Sequence, residues 1–477
     1  MNSSLRQSRL LLSALLLVPL AALHAAAAAT DNRPNILWIL VDDIGLDLGC
    51  YGRKEVHTPN LDRLASEGAR YTRAFTPASV CSPCRSSFIT GLYPNQVFSH
   101  NMRIYAPLVK QALPNGVECF TKYIRDAGYA VGMPSEYQKL DWGFETPKAP
   151  AFDIKNWDEL IKRAPFFCEY QFSAPHRPFL PCKEHPVDRS IVQLAPFEAD
   201  LPEVREELGA YLEYVNLLDM QVGKLIDQLK EAGLYEQTII VFTGDNGPPI
   251  HRGKCFLYDR GIAAPLIVRV PAAFKPDFKP GAVIDELVAT GLDLAPSFIH
   301  WAGGKTPNYM KGRIFFGPDK QPAPEYIFGL RDRHDANIDR IRSVRSRDFK
   351  YLRNYFPEKT YDEIGMNNVL ATRAMRAAFK QGKLPREQAA YFQPKAKEEL
   401  YDLKTDPFEL RNLVDDPALS GTLQKMRLAL DQWIIETNDE GRLQEDPKLL
   451  EESFQTLLKL RENRGDKPKT NSKAKLP

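Results

Sequence analysis

Four side chains with oxygen donors fall in two pairs, each pair ending an apolar run. Residues 34–43 read Pro-Asn-Ile-Leu-Trp-Ile-Leu-Val-Asp-Asp, and residues 238–247 read Thr-Ile-Ile-Val-Phe-Thr-Gly-Asp-Asn-Gly. The pairs are Asp42 with Asp43, and Asp245 with Asn246. Donors that are all oxygen favour a hard cation, calcium or magnesium, over zinc, which prefers histidine and cysteine. Taken singly, Asp-Asp and Asp-Asn-Gly also suit a helix cap and a turn. A third stretch, residues 81–91, reads Cys-Ser-Pro-Cys-Arg-Ser-Ser-Phe-Ile-Thr-Gly. Here a cysteine is followed two residues later by proline and four later by arginine. Cys81 and Cys84 also make a C-x-x-C pair, for which a redox disulfide is one open reading.

The elements that must position these residues are legible from periodicity. A short apolar run ending in acids predicts a buried parallel strand, and open α/β sheets place their ligands at the C-terminal ends of such strands. Residues 61–68 and 120–128 read as helices stopped by glycine. Residues 208–233 form the longest amphipathic pattern, with Leu208, Tyr211, Leu212, Val215, Leu218, Val222, Leu225, Ile226 and Leu229 at helical spacing. Alternating strands and helices between 34 and about 320 predict a mostly parallel sheet covered on both faces. Beyond that, segments 326–330, 341–346 and 349–355 predict a small antiparallel sheet, followed by a helix over 420–437. The expected division is a leader at 1–29, a catalytic domain at 30–320, a C-terminal subdomain at 321–445 and a polar, solvated tail at 446–477.

A chain of 477 residues exceeds what one core usually holds, so two subdomains are expected. A formal net charge of only +2 signals no nucleic-acid partner, and an acidic polymer would need a local basic patch. Arg6 and Arg9, an apolar run over 10–20 and alanines at 25–29 resemble a signal peptide cut near Ala28 or Ala29. The run is too short for a membrane span. The chain is therefore expected to be exported, to a periplasm or medium, or to a lysosome in a eukaryote. Seven cysteines, at 50, 81, 84, 119, 168, 182 and 255, leave an odd one, and spacing cannot give connectivity.

With the cysteine stretch and both acidic pairs in place, the chain resembles the type I sulfatases of the alkaline phosphatase-like superfamily over nearly all its mature length. Within them it is most similar to the N-sulfoglucosamine sulfohydrolase branch. That likeness rests on residues 245–258 (Asp-Asn-Gly-Pro-Pro-Ile-His-Arg-Gly-Lys-Cys-Phe-Leu-Tyr), 342–351 (Arg-Ser-Val-Arg-Ser-Arg-Asp-Phe-Lys-Tyr) and 399–413. The resemblance implies an α/β alkaline phosphatase-like fold with a central sheet between helices and a smaller C-terminal subdomain. It implies that a maturation enzyme converts Cys81 to formylglycine (3-oxoalanine). It further implies one divalent cation, most often Ca2+, on Asp42, Asp43, Asp245, Asn246 and converted Cys81. Arg85 would hold the formylglycine diol, and His176 and Lys254 would contact sulfate. The implied reaction is hydrolysis of a sulfuric ester or sulfamate on a sulfated saccharide.

One departure is plain. The family commonly carries Gly-Lys-x-His after the helix ending near Gly128, and residues 129–140 read Tyr-Ala-Val-Gly-Met-Pro-Ser-Glu-Tyr-Gln-Lys-Leu instead. Lys139 can supply the missing charge only if its loop folds back, and Glu136 could serve as an acid only with a raised pKa. Arg331, Arg333, His334, Asp335 and Arg340 resemble a sugar-binding loop, against the reading of a solvated charged loop. Asn101, Met102 and Arg103 offer a second edge of a pocket. Two rivals remain: a phosphoesterase or phosphonate hydrolase of the same superfamily, and a catalytically weak sulfated-glycan-binding protein.

Overall fold

Strand β1 (Asn35–Val41, sequence NILWILV) is buried at every position, which a strand achieves only when both faces of its sheet are covered. Its alternating side chains go to two different cores. Ile36, Trp38 and Leu40 join one cluster with Phe88, Phe120, Phe167 and Phe298, while Leu37, Ile39 and Val41 join another with Leu208, Tyr211, Leu212 and Val215. Each such large apolar side chain contributes about 1.5–3 kcal/mol by leaving water.

The computed structural model describes residues 33–463 apart from 336, 365–367 and 440–444. The expected leader at 1–29 lies outside the described residues. A seven-stranded sheet has the order β3-β4-β1-β5-β6-β2-β7, with β2 at Ala69–Phe75, β3 at Ala130–Gly132, β4 at Phe166–Phe172, β5 at Thr238–Gly244, β6 at Leu266–Arg269 and β7 at Ala282–Ala289. Only β6 runs against its neighbours, antiparallel to both β5 and β2. Helices α1 (Pro59–Glu67) and α4 (Pro202–Glu231) cover one face, and α2 (Cys81–Thr90), α3 (Phe120–Asp126) and α5 (Thr290–Trp301) the other. Helix α4 begins six residues before the expected 208 because Pro202 takes its first position, where a missing N–H costs nothing.

A second, antiparallel sheet has the order β11-β10-β9-β8, from β8 (Ile327–Arg331), β9 (Ile341–Arg345), β10 (Phe349–Asn354) and β11 (Glu398–Asp402). Helix α7 (Ser420–Glu436) packs Leu423, Met426, Leu430 and Trp433 on one of its faces. Its other face shares a core with Phe75, Phe256 and Ile262 of the larger layer, with α6 (Leu370–Lys380) in the same cluster through Ala371 and Met375. The described residues from Pro34 onward form one compact unit. The tail expected at 446–477 differs from the structure in its first half: α8 (Pro447–Asn463) buries Leu450 and Leu457. Its apolar positions recur at helical spacing among charges, which composition alone reads as polar.

Candidate active site

The parallel register of β1 with β5 pairs Val41 with Gly244, so the next residues, Asp42 and Asp245, emerge side by side at the C-terminal edge. Asp43 N donates to Asp245 Oδ1 at 3.0 Å, and Asn246 Nδ2 to Asp43 Oδ1 at 2.8 Å. All four residues are buried. Helix α2 starts at Cys81, has no side-chain cap at Val80, and is buried at all ten positions. Its positive end and unsatisfied first N–H groups therefore lie at Cys81. Arg85, one turn on, reaches the same edge, with Nε on Asp245 Oδ2 at 2.8 Å and Nη2 3.7 Å from Asp42 Oδ2.

Two lysines complete the cluster. Lys254 Nζ donates to both Asp43 oxygens, at 2.6 and 2.8 Å, and Lys139 Nζ to Asp42 Oδ2 at 2.8 Å. The loop does fold back, and the reason lies in β4. Gln171 accepts from Lys139 N at 2.8 Å and donates to Lys139 O at 3.1 Å, and Arg85 Nη1 donates to the same carbonyl at 3.0 Å. Tyr137, which sequence reasoning missed, donates its hydroxyl to Asp42 Oδ2. Only its place two residues before Lys139 could have drawn attention to it. His176 is half-buried, with Nε2 3.7 Å from Asp43 Oδ2.

Three carboxylates and three cations thus interleave. Burial pushes the Asp42 carboxyl up, but Lys139, Arg85 and Lys254 together hold it well below the usual range. Burial and the adjacent Asp42 charge push Asp245 up, with Arg85 opposing. Burial pushes the Cys81 thiol up to about 12, although Lys139 and Lys254 favour the thiolate. As translated, Cys81 is therefore a poor nucleophile at neutral pH. Asp42 Oδ1 and Asn246 Oδ1 are buried and accept no hydrogen bond from the protein. Buried oxygens left so are costly unless something binds them. Asp42, Asp43 and His176 also present donor atoms within 4.8 Å of one another. The residues fit a hard cation.

A model of the sulfatase family matches residues 34–158 and 151–304, more than half of the chain. The chain belongs to the sulfatase family. It is 30% identical to an ulvan-active sulfatase of Formosa agariphila, over 87% of this chain and 77% of that one. It is 26% identical to the human N-sulphoglucosamine sulphohydrolase, over 85% and 91%. A solved 2-O GAG sulfatase superposes with a TM-score of 0.64 at 20% identity, covering 88% of this chain and 96% of that one. This sulfatase is accordingly a hydrolase with the fold of those enzymes.

The remaining expected residues divide. Met102 packs against Cys81, Val80 and Cys255, and Arg103, about one-third exposed, pairs with Asp335 at 3.2 Å. Asn101 Oδ1 accepts from Arg333 N at 3.1 Å. The expectation that Arg331 and Arg333 grip sugar is corrected. Arg331 is 1% exposed, with Nη1 on Asp339 at 2.8 Å and Nε on Cys255 O at 2.7 Å. Arg333 is 4% exposed and paired with Glu445. His334 is buried beside Arg331, and burial with that charge holds its imidazole neutral. Glu136 is exposed, while its neighbour Tyr137 reaches Asp42. All seven cysteines are free thiols, so Cys81 and Cys84 form no disulfide; Cys84 Sγ instead donates to Ala78 O at 3.0 Å.

Proposed function

We propose that this sulfatase is exported, that Cys81 is converted to formylglycine, and that the enzyme removes sulfate from a sulfated saccharide with one divalent cation, Ca2+ by preference, on Asp42, Asp43, Asp245 and Asn246. The carrying observation is the buried cluster at the N-terminus of α2, where unsatisfied carboxylate and amide oxygens meet three committed cations around Cys81. The names of the relatives, an ulvan-active sulfatase and a sulphoglucosamine sulphohydrolase, support a saccharide. No helix among the described residues is long and apolar enough to cross a membrane.

Formylglycine at Cys81 would supply, as its hydrate, one hydroxyl as nucleophile and a second whose deprotonation re-forms the aldehyde and releases sulfate, where a plain serine or cysteine would stay sulfated. The cation, when bound, supplies Lewis acidity toward sulfate oxygens. The chain's own groups do the rest. Lys139, Arg85 and Lys254 keep Asp42 ionised against its burial and supply fixed positive charge where an anion must sit. His176, half-buried with Nδ1 2.6 Å from the Arg177 carbonyl, has its ring orientation set and leaves Nε2 toward Asp43. A divalent cation held beside three carboxylates and three cationic side chains would leave the site net positive, which suits sulfate.

The test is mass spectrometry of the peptide over residues 74–85, from protein exported by a host that matures sulfatases. Formylglycine at Cys81, bound calcium and sulfate release from a saccharide panel are the expected results. An unmodified thiol, beside a control sulfatase that is converted, refutes the reading.

A further inference from the structure

Arg333, expected at the sugar, is instead buried, and its bonds converge on residues beside Cys81. Nη1 donates to the carbonyls of Met102 at 3.4 Å, Arg103 at 3.1 Å and Asp335 at 2.7 Å. Nε and Nη2 donate to Glu445 Oε2 at 2.5 Å and Oε1 at 3.0 Å, a two-pronged pair. The backbone repeats the connection: Met102 N donates to Arg333 O at 2.9 Å, and Asp335 N to Met102 O at 2.5 Å. One buried guanidinium thus ties two loops together. Nη1 shares its two hydrogens among three carbonyls, and Nε with one hydrogen of Nη2 grips the carboxylate, so four of its five donors are engaged.

What it ties is the rim of the site. Met102 lies on Cys81, and Arg103 is near enough to Cys81 to interact with it electrostatically. Arg85, Lys139 and Lys254 are committed to the cation-binding carboxylates, whereas the Arg103 side chain is 33% exposed and so open to a ligand. Asp335 meets Arg103 on its other side, at 3.2 and 3.4 Å, and its own carbonyl is held by Arg333. Glu445 lies two residues before α8, and α8 makes a second tie just beyond the 101–103 strip, from Ser453 Oγ to Tyr105 O at 2.7 Å. Burial of Leu450 and Leu457 anchors that helix.

We propose that the C-terminal segment from Glu445 through α8 is a strap that, acting through Arg333, positions the 101–103 strip so that Arg103 receives a second anionic group of the substrate, a carboxylate or a further sulfate beside the one removed. Arg333, Glu445 and Ser453 are positioning residues; Arg103 is the contact. The inference rests on the reading of the substrate as a sulfated saccharide. It deepens that reading, because an enzyme so built distinguishes saccharides by what stands next to the scissile sulfate.

The experiment measures kcat and KM of the full-length, converted enzyme on three substrates: a monosulfated disaccharide bearing a uronic carboxylate, a disulfated neutral disaccharide, and a small aryl monosulfate with no other charge. Arg103→Gln is expected to raise KM at least about tenfold for a saccharide with a second anion, the loss of one charge-assisted bond, and the first two substrates tell which anion is meant. Glu445→Gln is expected to raise that same KM about three- to tenfold, with kcat and aryl-sulfate kinetics within twofold of wild type, and Glu445→Asp to recover part of the loss. Ser453→Ala, a mild change, moves KM in the same direction and keeps the test alive should Glu445→Gln fold poorly. If Arg103→Gln raises KM while Glu445→Gln and Ser453→Ala leave it unchanged, the strap is refuted and the saccharide reading stands. If Arg103→Gln changes neither, the second-anion contact is refuted. If the enzyme cleaves the aryl ester but no saccharide, the saccharide reading falls, and this proposal with it.

Discussion

Replacing Lys139 by methionine removes one charge and leaves the side-chain volume nearly unchanged. Its Nζ is 2.8 Å from Asp42 Oδ2 and its side chain 19% exposed, so the pair sits between buried and screened regimes. At an effective dielectric constant of about 20, unit charges about 4 Å apart interact by about 4 kcal/mol. That ground-state pair is not itself catalysis; what catalysis loses is the stabilisation that the fixed Lys139 charge gives to negative charge developing on the reacting group. Removing one fixed donor from such a site costs about 2.7–4 kcal/mol, or about 100- to 1,000-fold in kcat. Asp42, freed of its strongest counter-charge, also becomes a stronger cation ligand, so bound metal should not fall. The assay is kcat on an aryl sulfate, with conversion of Cys81 checked by mass spectrometry and calcium by elemental analysis. A fall of two to three orders of magnitude with full conversion and undiminished metal is expected. A kcat within threefold of wild type refutes the reasoning, for Lys139 would then be a charge-balancing residue only.

Gln171→Ala removes both bonds that clamp the Lys139 backbone; at about 0.5–1.5 kcal/mol each, kcat should drop about five- to 150-fold, and much less when Lys139→Met is already present. Chelation of the purified enzyme should abolish turnover and calcium should restore it, whereas Asp245→Asn, by thinning the ligand charge, should shift the calcium dependence to higher concentration. Glu169, buried with a 2.5 Å bond from Gln171 Nε2, is pushed by burial up to about 7 from its ordinary 4.5. Because this acid's folded pKa lies above its unfolded one, the unfolded chain ionises first as pH rises. Stability is therefore lost between about pH 4.5 and 7, by about 3 kcal/mol at most. Glu169→Gln should flatten the decline in urea-unfolding free energy between pH 5 and pH 8, and an unchanged slope would count against it.

The sequence by itself determined the strands that end in Asp42 and Asp245, since an unbroken apolar run can be buried only with both sheet faces covered, and a strand's end then fixes where its next residue lies. The cysteine stretch was equally local: Cys81 and Arg85 are one helical turn apart, and that spacing sets their common face. Tertiary structure alone decided the rest. That β1 lies beside β5 rather than another strand is what joins the two acidic pairs, and strand order is not written in either strand. The return of Lys139 depends on Gln171, 32 residues away on β4. Of the charged loop at 331–335, sequence could give only the presence of charges. Whether a guanidinium meets water, a sugar or a carboxylate 112 residues distant, as Arg333 meets Glu445, depends on which segments the fold packs together, because a buried charge stays charged only where a partner reaches it.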